Sequence, residues 1–156
     1  MKFFTIASSF LAAASAVDIR LWTGSNCTGA YVACVNINAN TCCSSGNTRF
    51  PSIGLVAIPS SWMVQLRTYE NGSCNALRKI QGSGGATKLC FSEADGIARI
   101  SGGGWDFTGK RRDEDNDATC SATGCTSTVK PDILVLEDAK TTFGLADMEE
   151  SLFESL

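Results

Sequence analysis

The feature that most constrains this chain is a repeat. Trp22 followed by Gly24-Ser25-Asn26-Cys27 returns as Tyr69 followed by Asn71-Gly72-Ser73-Cys74, 47 residues later, and Cys43 recurs as Cys90 at the same offset. A looser echo carries Ile53–Trp62 onto Gly96–Trp105, 43 residues on. Two units follow, 18–62 and 63–105, each too small to bury a hydrophobic face alone and each ending on a tryptophan.

Inside each unit the residues alternate with a period of two, which is the pattern of a half-buried strand. In Met63–Tyr69, for example, Val64, Leu66 and Thr68 take one face while Gln65, Arg67 and Tyr69 take the other. Strands are predicted at 19–23, 30–37, 41–44, 53–58, 63–69, 76–80, 87–91 and 97–101. Turn formers such as "SSGN", "ENGSCN" and "SGGG" stand between them. Eight short strands and no good helix predict an all-β fold, a β-sandwich over 17–109.

Cysteine usage agrees with a secreted domain. Residues 1–16 have a lysine followed by a short apolar run and end in Ala14-Ser15-Ala16, the pattern of a cleaved secretory signal peptide. All eight cysteines, Cys27, Cys34, Cys42, Cys43, Cys74, Cys90, Cys120 and Cys125, lie beyond it. An even count in a secreted chain predicts four disulfides. No Cys-x-x-Cys pair and no histidine is present, which argues against a zinc site. Six body cysteines allow 15 connectivities. The repeat suggests one of them: Cys27–Cys43 and Cys74–Cys90 closing each unit, Cys34–Cys42, and Cys120–Cys125 in the tail. Cys42 and Cys43 are neighbours on a predicted strand, so they point to opposite faces and should have different partners.

Charge divides the chain sharply. Residues 18–112 carry ten Lys/Arg against five Asp/Glu, and residues 113–156 carry two against eleven. The sign changes inside "GKRRDEDND", where the basic triplet Lys110, Arg111, Arg112 is what a dibasic-specific processing protease of a secretory pathway would cut. The reading is a basic domain followed by an acidic tail, 110–156, a candidate pro-segment. Within the tail, 113–130 reads as linker and 133–136 as a ninth strand or docking segment. Leu145, Met148, Leu152 and Leu156 recur at helical spacing, predicting a short amphipathic helix.

The hydrophobic-aromatic start of each unit, its Gly/Asn turn, and the closing run Ser52-Ile53 to Pro59 and Trp62 resemble the Greek-key motif of βγ-crystallin-like domains. Small secreted killer-toxin-like and antimicrobial proteins look similar in layout. The resemblance covers roughly 18–107 and implies two Greek-key motifs forming one sandwich. Many βγ-crystallins bind calcium, but the nearest stretch here, Asn47–Ser52, keeps only the first and last members of that motif and contains Arg49. No metal or other cofactor is expected.

Without histidine, neither a Ser-His-Asp triad nor a Cys-His pair can exist. A two-carboxylate hydrolase would have to draw on isolated acids such as Glu93 and Asp95. The favoured reading is a secreted, non-enzymatic effector or toxin-like protein that binds a cell surface, wall polymer or membrane, with Arg67, Arg78, Lys79 and Lys88 as contact charges. The alternative is a secreted hydrolase or inhibitor on the same scaffold. No basic-aromatic stripe for nucleic acid is seen, the N-terminal apolar run is too short to span a bilayer, and no other stretch is long and apolar enough to do so. Asn26-Cys27-Thr28 and Asn71-Gly72-Ser73 are N-glycosylation acceptor sequences, with Asn71 favoured because Cys27 is expected to be bridged. Small secreted fungal proteins share this general style.

Overall fold

A computed structural model describes residues 17–108 and 125–145, and every regular element among them is a strand. The first unit folds into β1 (Val17–Trp22), β2 (Tyr31–Ile37), β3 (Thr41–Ser44) and β4 (Ser52–Val56). The second repeats it as β5 (Val64–Tyr69), β6 (Leu77–Gly82), β7 (Leu89–Ser92) and β8 (Gly102–Phe107). Period-two burial is plain in β1, where Val17, Ile19 and Leu21 are fully buried and Asp18, Arg20 and Trp22 turn outward.

The two units do not build one sheet each. One sheet contains β2-β1-β4-β7 in that order, and the other contains β6-β5-β8-β3. Adding four to each label of the first row, with β3 following β7, reproduces the second. The halves are thus related by an approximate twofold axis, and each unit gives its third strand to the other's sheet. Ile19, Leu21, Ile53, Leu55 and Phe91 from one sheet meet Val64, Leu66 and Trp105 from the other in one core cluster. Trp62 stacks on Trp105 at 5.6 Å between ring centroids and closes one end of it.

That exchange corrects the expected disulfides. The pairs are Cys27–Cys90, Cys34–Cys43 and Cys42–Cys74, and Cys125 is disulfide-bonded as well. The expected pairs Cys27–Cys43 and Cys74–Cys90 do not form because the third strand has crossed over: the β1–β2 turn, with Cys27, lies against β7 of the other unit. Cys74 in the β5–β6 turn likewise meets Cys42 on β3. The two bridges are symmetry mates, and each joins one unit to the other. Cys42 and Cys43 do have different partners, as their opposite faces require, with Cys42 on the outer face and Cys43 tying β3 to β2 across the core.

The closing strand of the second unit also differs from expectation. The chain at 97–101 is irregular apart from a bridge between Ile100 and Phe50, and the strand is Gly102–Phe107. Its three glycines look like a turn in sequence. In the sandwich they leave room for neighbours: a Cβ on Gly102 would lie 2.7 Å from Cys74 Sγ, and one on Gly103 would lie 2.3 Å from Ile53 Cδ1.

The sheets do not stop at residue 109. β9 (Ser127–Val129) adds to β3 in parallel, within the stretch expected to be linker. β10 (Ile133–Val135) adds antiparallel to β2, and β11 (Thr142–Gly144) adds to β10. Leu134, Val135 and Leu145 are buried there, and Asp132 accepts a hydrogen bond from the Val35 amide at 2.8 Å. The predicted strand at 133–136 is therefore present, as part of the larger sheet. The expected signal peptide, the basic triplet and the amphipathic run from 146 onward lie outside the described residues.

Candidate functional site

The side chains with the most chemistry collect where both sheets end, along β6 and β7. Strand β6 alternates weakly and leaves Lys79 and Ile80 exposed, because nothing among the described residues pairs with its outer edge. Arg78 reaches from β6 to Glu93, just past β7, and donates to both carboxylate oxygens: Nη2 lies 2.8 Å from Oε2, and Nε bonds Oε1. Its Nη1 also bonds Glu70 at the end of β5. Arg99 extends the chain of charges, 3.6 Å from Glu93 and 2.6 Å from Asp95. The order is Glu70–Arg78–Glu93–Arg99–Asp95, and it links the two sheets at their rim.

These pairings determine what the acids can do. The hydrogen bonds from Arg78 hold the Glu93 carboxyl below its ordinary value, and those from Arg99 and the Ile97 amide do the same for Asp95. A general acid in a glycoside hydrolase needs a raised value. Glu93 and Asp95 are therefore ionised members of an ion-pair network, and neither suits the general-acid role that the hydrolase reading requires.

Of the four contact charges expected from the sequence, the structure leaves two available. Arg78 is spent on Glu70 and Glu93. Arg67 lies on the outer face of its sheet, with Nε 3.2 Å from Asp106 Oδ2, and Asp106 is itself buried. Lys79 places Nζ 5.2 Å from the centre of the Phe91 ring, and Lys88 is exposed in the approach to β7. Neither lysine has a carboxylate partner among the described residues. Alternation alone could place Arg67 and Arg78 on strands, but their carboxylate partners lie 39 and 15 residues away.

Both acceptor asparagines sit in the corresponding first turns. Asn26 is exposed, in a turn docked by Ser52, whose hydroxyl donates to Gly24 O at 2.6 Å and accepts from Cys27 N at 3.0 Å. Asn71 is half-buried, and its Nδ2 donates to Asn75 Oδ1 at 2.5 Å. In both turns the bridged cysteine takes a left-handed backbone, φ 57° at Cys27 and 51° at Cys74. Such a conformation costs about 1–2 kcal/mol for a residue with a Cβ, and the bridges hold it.

A second cluster lies on the outer face of the β6-β5-β8-β3 sheet. The Cys42–Cys74 bridge, the fully buried Tyr69, Leu77 and Cys125 pack together there, and burial pushes the Tyr69 phenol up. Sequence reading missed it because outward positions are expected to be solvated. The signal was the run of glycines opposite those cysteines.

A family model described as ARB_05566_N, N-terminal domain, matches residues 18–132. A protein of Arthroderma benhamiae described as an uncharacterized secreted protein is 28% identical over 146 residues, which cover 89% of this chain and 73% of that one. No solved structure matches the chain significantly. The match to 132 runs past the expected limit at 109 and takes in β9, in keeping with strands that belong to the sandwich. Disulfides persist in oxidising compartments, and this chain, like that relative, is a secreted protein.

Proposed function

The chain belongs to the ARB_05566_N N-terminal-domain family, and we propose that it is a secreted, non-enzymatic binding protein that attaches to an anionic extracellular partner through the β6/β7 rim. One observation carries the reading. Among the described residues, the carboxylates of this rim, Glu70, Glu93 and Asp95, are each held by an arginine, and Lys79 and Lys88 have no carboxylate partner. An effector or toxin-like role, acting on a cell surface or wall polymer, is the finer form of this proposal.

The strand order supports a βγ-crystallin-like reading of the scaffold, since each unit contributes three strands to one sheet and its third strand to the other. Such a scaffold is silent on chemistry, so the contact surface has to be argued from side chains. The extended sheets bear on the tail: segment 127–145 is a structural part of the binding body in this proposal, and a cut at Lys110–Arg112 leaves it docked.

The test is retention of the secreted protein on an immobilised anionic polysaccharide as salt is raised. Retention should weaken with salt because exposed charges are screened over about 10 Å or less at moderate ionic strength. It should fall further in Lys79→Glu/Lys88→Glu, and stay unchanged in Arg49→Glu, which is exposed elsewhere. A loss in Arg49→Glu in proportion to its single charge reversal, half that of the double variant, would mean that net charge, and not this rim, governs binding.

A further inference from the structure

The approximate twofold axis pairs β2 with β6 and β3 with β7, so the β2/β3 rim and the β6/β7 rim are equivalent in construction. Only one of them is covered among the described residues. On the β2/β3 side the chain lays its own segment across both sheets, β9 parallel to β3 and β10 antiparallel to β2. On the β6/β7 side both sheets end, among the described residues, in strands with no further neighbour. We propose that the free edge of β6 takes an extended acidic segment of a partner protein by strand addition, in the way that β2 takes β10.

The edge is built for it. Ser83 N donates to Val64 O at 2.7 Å, so Val64 and Ser83 form a hydrogen-bonded pair. Such pairs alternate along an antiparallel ladder, which makes Leu66/Gln81 and Thr68/Lys79 the next ones. The backbone N–H and C=O of Ile80 and Gly82 then face away from β5, toward the open side. Strand addition satisfies such groups with main-chain hydrogen bonds and takes its specificity from side chains. Ile80 is 43% exposed beside them and offers an apolar contact.

Charge selects the occupant. Lys79 on β6 and Lys88 immediately before β7 have no carboxylate partners among the described residues, and the segment already seated on β2 shows how an acid is used, through Asp132 bonding the Val35 amide. A second copy of this chain would bring the same lysines to the contact, and edge lysines are a recognised guard against self-pairing. A partner strand carrying carboxylates meets no such opposition.

The inference rests on the reading of the β6/β7 rim as the contact surface and names its partner. The probe is a synthetic peptide with the sequence of residues 127–137 of this chain, altered at Lys130→Glu, added to the full secreted protein. Amide exchange is followed by NMR. Saturable protection is expected at Ile80 and Gly82, with about tenfold weaker binding in Lys79→Glu/Lys88→Glu. Ile80→Pro should abolish it, because proline removes an outward N–H and leaves the ladder to β5 in place. Should Ile80→Pro unfold the protein, the lysine double variant carries the test. No protection at β6, equal binding of a peptide with Asp132→Lys and Glu137→Lys, or undiminished binding to the Ile80→Pro protein would each overturn strand addition. Polysaccharide retention lost in the lysine variant, together with no peptide protection, would leave the rim as a contact surface and remove only the strand.

Discussion

Gly102 offers a direct test of the reason given for the glycine strand. An alanine methyl there would lie 2.7 Å from Cys74 Sγ, 3.3 Å from Cys42 Sγ and 3.1 Å from the Cys43 carbonyl oxygen. The sulfurs are fixed at both ends by their bridge, so they cannot swing aside as a free side-chain tip could. Overpacking of this kind costs about 1–3 kcal/mol. Replacing glycine also restricts the unfolded chain, which offsets about 0.4–1 kcal/mol. Gly102→Ala should therefore destabilise the protein by about 1–2 kcal/mol. Removing the bridge with Cys42→Ala/Cys74→Ala, a separation of 32 residues, should cost about 3–4 kcal/mol. With both sulfurs gone their clashes disappear while the close approach to the Cys43 carbonyl oxygen stays, and the cost of Gly102→Ala should fall by about 1 kcal/mol or more. A double-mutant cycle by urea denaturation under non-reducing conditions should thus give a coupling of about 1–2 kcal/mol. Additivity within about 0.5 kcal/mol would refute the claim that the glycine is there for the bridge.

Other consequences can be checked independently. Losing Cys27–Cys90, 63 residues apart, should cost about 4 kcal/mol, more than losing Cys34–Cys43, 9 apart, at about 2.6 kcal/mol, and thermal unfolding of the two double-alanine variants should keep that order. Glu93 is held below its ordinary carboxyl value of 4.5, so its contribution is present above about pH 4.5 and is lost as pH falls through the lowered folded value. Glu93→Gln should cost about 1–3 kcal/mol at neutral pH and flatten the acid limb of a stability–pH curve. Leu134→Ala should cost about 2–4 kcal/mol and raise amide exchange in β10 and β11 before the rest of the sandwich opens. Cleavage at Lys110–Arg112 should leave the C-terminal piece associated, seen as a native mass equal to both pieces together; a body lacking that piece would show that β9 and β10 do not hold it.

How much was legible depends on whether the deciding neighbours were close along the chain. The β1 and β5 strands could be read because Val17, Ile19 and Leu21 alternate with polar residues, and Val64 and Leu66 do the same at the same offset. Residues 97–101 read as a strand in sequence because they are more β-forming than the glycines after them, yet they are irregular apart from the bridge at Ile100. Those glycines form the strand because Ile53 and Cys74, distant in sequence, occupy the space their side chains would need. Arg78 reads from the sequence as a contact charge, and its pairing with Glu93 is not legible there because that carboxylate lies just past a strand of the other sheet. The strand at β9 could not be read, since Ser127-Thr128-Val129 buries nothing and is held by its ladder to β3.

By itself the sequence determined an all-β, disulfide-bonded, secreted chain of two similar units, and it required Cys42 and Cys43 to face apart, because alternation and adjacency are local properties of a pleated backbone. Only the tertiary structure decided which cysteines pair, which arginines are held by carboxylates and that residues 127–144 join the two sheets. All three follow from one non-local event, the exchange of third strands between sheets: it brings Cys27 to Cys90 and Cys74 to Cys42, sets Arg78 against Glu93, and leaves on β2 and β3 the open edges that residues 127–144 fill.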